Sequence, residues 1–318
     1  MKVRIGIAPG AGRNENPENL EEIVGRLDEI GIDSLWLSEI VSSPAPDPMV
    51  GLAYAAARTR RLKLGTGVSV LPGRNPVLFA KQLATLARLA PGRILPAVGL
   101  GPARAADRDA FPLPSPLPPS PSPAPAKEKE RGPGGPGQRG AVFDEALVLL
   151  RRLLTEPSVT FHGRYFTLDD VGIGTLPAKP LDIWLGGAAP AALRRVGRLG
   201  DGWLASLITP SDAARGIAAV AAAADAAGRT VDPEHYGLSI PVALGDGISP
   251  ELAATLRRRR PDADPAALVP EGWDALRRRI GDYIAVGMSK FVVRPVTSPS
   301  SWGDFIDQFA TELLPLET

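Results

Sequence analysis

The sequence predicts a closed (β/α)8 barrel, and three observations predict it. Short apolar strands alternate with amphipathic helices along the chain, the helices open and close on the same punctuation, and eight strands can be collected. Val3 to Ile7 is the first strand, Asn16-Pro17 opens the first helix, and Gly31 ends it just before the second strand, Ser34 to Leu37. Asp47-Pro48 and Asn75-Pro76 open the next helices, around a third strand over Lys63 to Val70 and a fourth over Arg93 to Gly99. In each pair a side-chain oxygen caps free N–H groups, and proline takes the first helical position, which has no hydrogen bond to lose. Glycine is the expected stop at Gly31, Gly200 and Gly287, since it enters the left-handed C-cap at least cost.

The segment 104–139 breaks this grammar. It carries Pro112, Pro114, Pro116, Pro118, Pro119, Pro121, Pro123 and Pro125, then charge from Lys127 to Arg131. Such a stretch cannot bury a core, so it is expected to be a disordered or polyproline-like insertion after strand four. A lid or a docking segment for a proline-recognising module is its functional reading; a tolerated loop expansion is the plainer one. The pattern resumes with a helix over Ala141 to Leu154, then strands at Leu181 to Gly186, Gly202 to Leu204, Tyr236 to Ala243 and Phe291 to Arg294. Thr209-Pro210 and Ser249-Pro250 open the helices between them. The chain, 1–318, therefore reads as a single barrel domain. An open doubly wound sheet is the alternative, but Ala8-Pro9-Gly10-Ala11-Gly12 after the first strand carries no dinucleotide fingerprint.

Composition narrows the chemistry. Lys and Arg total 36 against 35 Asp and Glu, a formal charge of +1 that gives no broad attraction to nucleic acid or an anionic membrane. A small-molecule substrate is expected instead. The absence of cysteine removes disulfides and thiolate metal sites and fits a cytoplasmic location. His162 and His235 stand in no metal-ligand spacing, so no metal is expected. No run is long and apolar enough to cross a bilayer, and no signal peptide is visible. The run Arg257 to Arg260 reads as a solvated helix face, with an anchor for a polyanionic tail as its functional reading.

In such barrels the loops after the strands build the site. Candidates are therefore Ser38 and Glu39 after strand two, Thr66, Gly67 and Val68 in strand three, and Gly99 and Gly101 after strand four. Gly186, Gly187 and Ala188 follow strand five, Trp203 lies on strand six, and Arg294 ends strand eight. Glycines inside a buried strand mark bulges or close backbone approach, and the Gly186-Gly187 turn feeding a helix suits a phosphate. Glu39 is the carboxylate at the early-strand mouth and the candidate catalytic acid or base. Trp36 and Trp184, inside strands, read as packing residues.

Leu64 to Pro76, Arg93 to Gly101, and Asp182 to Trp203 with Leu185-Gly186-Gly187, Arg194-Arg195 and Gly200-Asp201-Gly202-Trp203 resemble the luciferase-like monooxygenase superfamily, in particular its coenzyme F420-dependent oxidoreductases. The Asp144-Glu145-Ala146 helix, Val159 to Gly163 and Phe291 to Pro295 fit the same pattern. The resemblance implies a luciferase-like TIM barrel that binds coenzyme F420, with FMN as the alternative cofactor, and transfers hydride to or from a small organic substrate. It implies a cis bond between Gly67 and Val68 beneath the ring, a phosphate near Gly186 to Ala188, and dimerisation. An FMN-dependent monooxygenase and a catalytically silent flavin-binding barrel are the other functions it leaves open. Where the sugar-phosphate dehydrogenase branch has a histidine after the acidic residue of strand two and a glutamate after the strand-four glycine, this chain has Ile40 and Pro102.

Overall fold

The computed structural model describes residues 1–9, 19–117 and 136–318. The strands in chain order are β1 (Arg4–Ile7), β2 (Ser34–Leu37), β3 (Lys63–Thr66), β4 (Ser69–Val70), β5 (Ile94–Leu95), β6 (Ala97–Gly99), β7 (Val159–His162), β8 (Thr167–Val171), β9 (Trp184–Gly186), β10 (Gly202–Ser206), β11 (Tyr236–Val242) and β12 (Lys290–Pro295). The helices are α1 (Asn19–Ile30), α2 (Pro48–Arg58), α3 (Pro76–Leu89), α4 (Pro136–Thr155), α5 (Pro190–Leu199), α6 (Pro210–Asp225), α7 (Pro250–Arg259), α8 (Pro265–Leu268), α9 (Gly272–Ala285) and α10 (Trp302–Leu313).

All pairings except the β7–β8 hairpin are parallel, in the order β4-β6-β9-β10-β11-β12-β1-β2-β3-β5. The two ends of that order join. β3 and β4 are halves of the expected third strand, parted at the Gly67–Val68 bond, which is cis as the resemblance implies. β5 and β6 are halves of the fourth, parted at Pro96, which has no N–H to give a neighbour. Because β5 pairs with β3 while β6 pairs with β4 and β9, the fourth strand closes the ring. The expected eight-stranded barrel is present.

Its interior explains several glycines. Trp36 and Trp184 point inward with ring centroids 6.4 Å apart, and each lies where a facing Cβ would have to be. A side chain on Gly65 would meet the Trp36 ring at 2.4 Å, and on Gly202 the Trp184 ring at 2.6 Å. The two indoles thus fill the lower barrel and leave its upper mouth open. Outside, Ile5, Ile7, Leu35, Leu64, Phe291 and Val293 alternate with these inward positions and bury against the helices.

The helix starts at Asp47, Asn75, Thr209 and Ser249 are capped as expected, and Thr209 with Asp212 forms a full capping box. The start expected at Asn16-Pro17 lies outside the described residues. Gly31 and Gly287 take positive φ, whereas Gly200 has φ −90°. That corrects the expected left-handed cap there. Gly200 is required by packing instead, since a Cβ would stand 3.0 Å from Leu185 Cγ.

Two further expectations change. The strand expected from Leu181 begins at Trp184, because the Ile183 N–H donates to the Asp201 carboxylate at 2.8 Å rather than to a neighbouring strand. The stretch expected to be disordered over 104–139 is structured where it is described, over 104–117 and 136–139. Residues Ala105–Ala110 form a 3-10 helix, Phe111 and Asp107 are buried, and the Leu117 N–H donates to the Arg164 carbonyl at 2.8 Å. At the far end α4 begins at Pro136. Buried Phe111 anchors the near flank, and Gln138 and Arg139 donate from the far flank to the Pro114 and Phe111 carbonyls; the expectation for 118–135 lies outside the described residues. The β7–β8 hairpin is held to α4 by Glu145, whose carboxylate accepts the N–H groups of Arg164, Tyr165 and Phe166.

Candidate active site

The glycine-bearing tips of the third, fourth and fifth strands meet round a single cavity of about 460 Å³ at the open end of the barrel. Ser38, Glu39, Gly67, Val68, Gly99, Gly101, Gly186, Gly187, Ala188 and Arg294 all line it. Sequence positions more than 250 residues apart thus converge, because parallel strands all end at the same rim. Close approach sets the glycines. A Cβ on Gly99 would meet Val68 Cγ2 at 2.6 Å and one on Gly186 would meet Val68 Cγ1 at 3.3 Å, so the Val68 side chain sits between two tips. Gly187 has φ +106°, a conformation that L side chains rarely adopt.

The bulge in strand three is held from the side by β2. Gly67 N–H donates to the Leu37 carbonyl at 2.8 Å, and the Ser38 hydroxyl donates to the Gly67 carbonyl at 2.8 Å. Glu39, 7% exposed, accepts the Val70 N–H at 2.6 Å on one oxygen and forms an ion pair with Arg74 on the other. Arg74 closes the circuit by donating from Nε to the Val70 carbonyl at 3.0 Å, with its guanidinium 5.0 Å over the Phe79 ring. Burial pushes the Arg74 guanidinium below its ordinary pKa. Both oxygens of the expected catalytic carboxylate therefore already have protein partners.

Two expected site residues stand outside this cavity. Thr66 is buried, donating to the Ala97 carbonyl at 2.7 Å and accepting its N–H at 2.9 Å, and so stitches the third strand to the fourth. Trp203 points outward by the pleat, packs where a Cβ on Gly216 would stand 2.3 Å from its ring, and donates from Nε1 to the Gly187 carbonyl at 2.7 Å. It props the loop rather than facing the mouth. Asp201 of the same motif is structural, pairing with Arg151 and Arg229. His162 is at the surface with Asp169 at 2.8 Å, and His235 Nδ1 lies 2.9 Å from the Asp201 carbonyl oxygen, beside Trp184.

Sequence reasoning missed Phe143, Arg195, Ser206 and Ser239, which also line the cavity, as does Arg259 from the run read as a solvated face or an anchor for a polyanionic tail. Arg195 is paired with Asp144 and stacked 5.1 Å over Phe143. Ser206 was findable: it is two residues beyond the inward Leu204, and it pairs in register with Ser239. Arg259 was not, since nothing in a run of four arginines marks the one whose side chain reaches the rim of this cavity.

The start of α5 differs from those of α2, α3, α6 and α7, which also open on proline. Its N-cap, Ala189, makes no side-chain hydrogen bond, where Asp47, Asn75, Thr209 and Ser249 each cap theirs. Among the described residues, the helix end that follows Gly186-Gly187-Ala188 thus keeps the partial positive charge of its N-terminus without a side-chain cap.

The family described as luciferase-like monooxygenase matches residues 1–288 of this chain. An F420-dependent glucose-6-phosphate dehydrogenase of Kineococcus radiotolerans is 31% identical over 195 residues, 59% of this chain and 52% of that protein. The chain thus spans about half the length of the first curated relatives it matches. An enzyme of the same description from Kribbella flavida is 25% identical across 99% of this chain and 98% of its own. Among solved structures, an F420-dependent secondary alcohol dehydrogenase in complex with an F420-acetone adduct superposes with a TM-score of 0.78 at 19% identity, covering 100% of both chains. That likeness concerns the fold.

Proposed function

The chain belongs to the luciferase-like monooxygenase family, and on that premise we propose that it is a coenzyme F420-dependent oxidoreductase acting on a small organic substrate. The observation that carries this reading is the single mouth made by the three glycine-bearing tips, beside an α5 start without a side-chain cap. The residues fit a planar ring with a phosphorylated arm. Gly67 and Val68 would support the ring, Gly99 and Gly101 would border it, and the backbone at Gly186, Gly187 and Ala188 would receive the phosphate. The names of the relatives point to F420 rather than FMN.

When bound, the deazaflavin supplies two-electron hydride chemistry. The chain supplies position and exclusion of water. Val68 and Leu204 make an apolar floor above the two indoles, while Ser206, Ser239 and Arg294 are polar groups placed to orient a carbonyl or imine. Glu39 acts as a positioning residue, because serving as an acid would require breaking its pair with Arg74. Reduction of an activated alkene, imine or ketone is favoured over sugar oxidation, since Ile40 and Pro102 replace the residues the resemblance associates with the latter.

The absence of cysteine supports a cytoplasmic location, and no helix among the described residues is long and apolar enough to cross a membrane. Adjacent α2 and α3 leave Val50, Tyr54 and Leu78 exposed, which supports a homodimer. The deciding experiment titrates the purified chain with coenzyme F420 and with FMN, following fluorescence quenching. Saturable binding of F420 in preference to FMN is expected. Preference for FMN would overturn the cofactor, and binding of neither would remove the redox function.

A further inference from the structure

A second cavity, of about 690 Å³, lies beside the first between α5, α6 and the end of α7. Ala188, Ala189, Ser206, Leu207 and Arg259 line both, so the two share a wall. Its floor is apolar, built from Leu193, Trp203, Ile208 and Ala219. Its rim is charged, and the balance of that charge identifies the ligand. Arg215 and Arg260 face Asp212 and Asp262 in ion pairs, two cations against two anions. Arg194 has no ion pair among the described residues, and Arg259 donates at 2.8 Å to the uncharged Ala103 carbonyl. Among the described residues, two positive charges on the rim have no acidic partner.

The shared wall is held in an uncommon conformation. Leu207 has φ +52°, in the left-handed region that a branched side chain seldom enters, and its carbonyl accepts from Arg260 Nη1 at 2.6 Å. Such residues cluster where a ligand site fixes the backbone. An oligo-carboxylate would leave the apolar floor uncovered, and a neutral apolar ligand would make no use of the two arginine charges at the rim.

We propose that this second cavity binds an organic anion with an apolar body, its acidic head at Arg194 and Arg259 and its body on the Leu193–Ile208–Ala219 floor. The proposal rests on the proposed function only in naming this ligand as the substrate; the binding itself needs no coenzyme. The shared wall then brings one end of the bound molecule to the edge of the first cavity.

Calorimetric titration of the full chain without coenzyme tests it, with octanoate, octyl phosphate, octanol and a triglutamate peptide as probes. Octanoate or octyl phosphate should bind about tenfold tighter than octanol, and Arg194→Met or Arg259→Met should each remove most of that preference while leaving octanol unchanged. Whichever head group binds tighter separates a carboxylate ligand from a phosphate ester. Ala219→Phe, which fills the floor, should abolish binding of both amphiphiles. Equal binding of octanol and octanoate, tighter binding of triglutamate, or unaltered binding in Ala219→Phe would each overturn the proposal. A separate F420 titration keeps the two readings apart. Octanoate binding without F420 binding sinks the proposed cofactor alone, and the converse sinks this pocket alone.

Discussion

Arg74 is the residue on which the floor of the mouth turns. Its guanidinium joins the Glu39 carboxylate to the Val70 carbonyl, and Glu39 in turn holds the Val70 N–H, so a single side chain fixes the strand just past the bulge. Replacing it by methionine keeps much of the contact with Phe79 but leaves a buried carboxylate unpaired. Arg74→Met should cost about 3 kcal/mol in urea unfolding, and adding Glu39→Gln should restore part of it, because the second change removes the orphaned charge. In kinetics Glu39→Gln should raise the apparent Kd for coenzyme more than it lowers kcat. Loss of a general acid would do the reverse, and that outcome would return Glu39 to a catalytic role.

At the scale of elements, the caps decide how strand ends meet helix starts. The Thr209 hydroxyl accepts the Asp212 N–H at 3.2 Å, and the Asp212 carboxylate accepts the Thr209 N–H at 2.9 Å. Asp212 also binds Arg260 at 2.9 Å, so the start of α6 is tied to the end of α7. Burial alone would raise the Asp212 pKa, but the Thr209 N–H and Arg260 outweigh it and hold it below its ordinary value. Thr209→Ala should lower the stability by about 1 kcal/mol in denaturant unfolding. Thr209→Ser, which keeps the oxygen, should recover most of that; an equal loss in both variants would show that the methyl group, not the cap, carries the effect.

The whole barrel is closed at its bottom by a buried ion cluster and by residues Glu317 and Thr318. Asp33 and Lys290, 7% and 8% exposed, pair across the β2 and β12 ends, with Lys63 3.3 Å from the same carboxylate. The last residues seal the ring, since the Val3 N–H donates to the Thr318 hydroxyl at 3.0 Å and the Ile5 N–H to Glu317 at 2.6 Å. Burial by itself would raise the Asp33 pKa, but Lys290 outweighs it and holds the carboxyl below its usual value. A carboxyl whose pKa is lower folded than unfolded adds stability above its unfolded pKa, near 4 or about that, and that stability is lost as pH falls through the folded value. Asp33→Asn should therefore cost about 3 kcal/mol at neutral pH. The gap to the parent should close as pH falls below about 4, read from unfolding free energies across a pH series. A gap independent of pH would mean that the pair contributes by packing alone.

The alternation of strands and helices, the capped proline starts, the glycines at strand tips and the packing role of Trp36 and Trp184 were legible in the sequence, because each depends on local periodicity or on backbone conformation that neighbours in the chain dictate. The hairpin β7–β8 was not, since its turn is held by Glu145 from a helix about twenty residues earlier. Nor was the partner of Glu39, the outward face of Trp203, or which arginine of 257–260 reaches the rim of the first cavity. Those facts depend on distances between segments remote in sequence, set only when the barrel closes. The chain alone therefore determined the fold and the glycine-bearing rim, whereas closure of the ring decided which side chains share a cavity and which are already spoken for by a buried counter-charge.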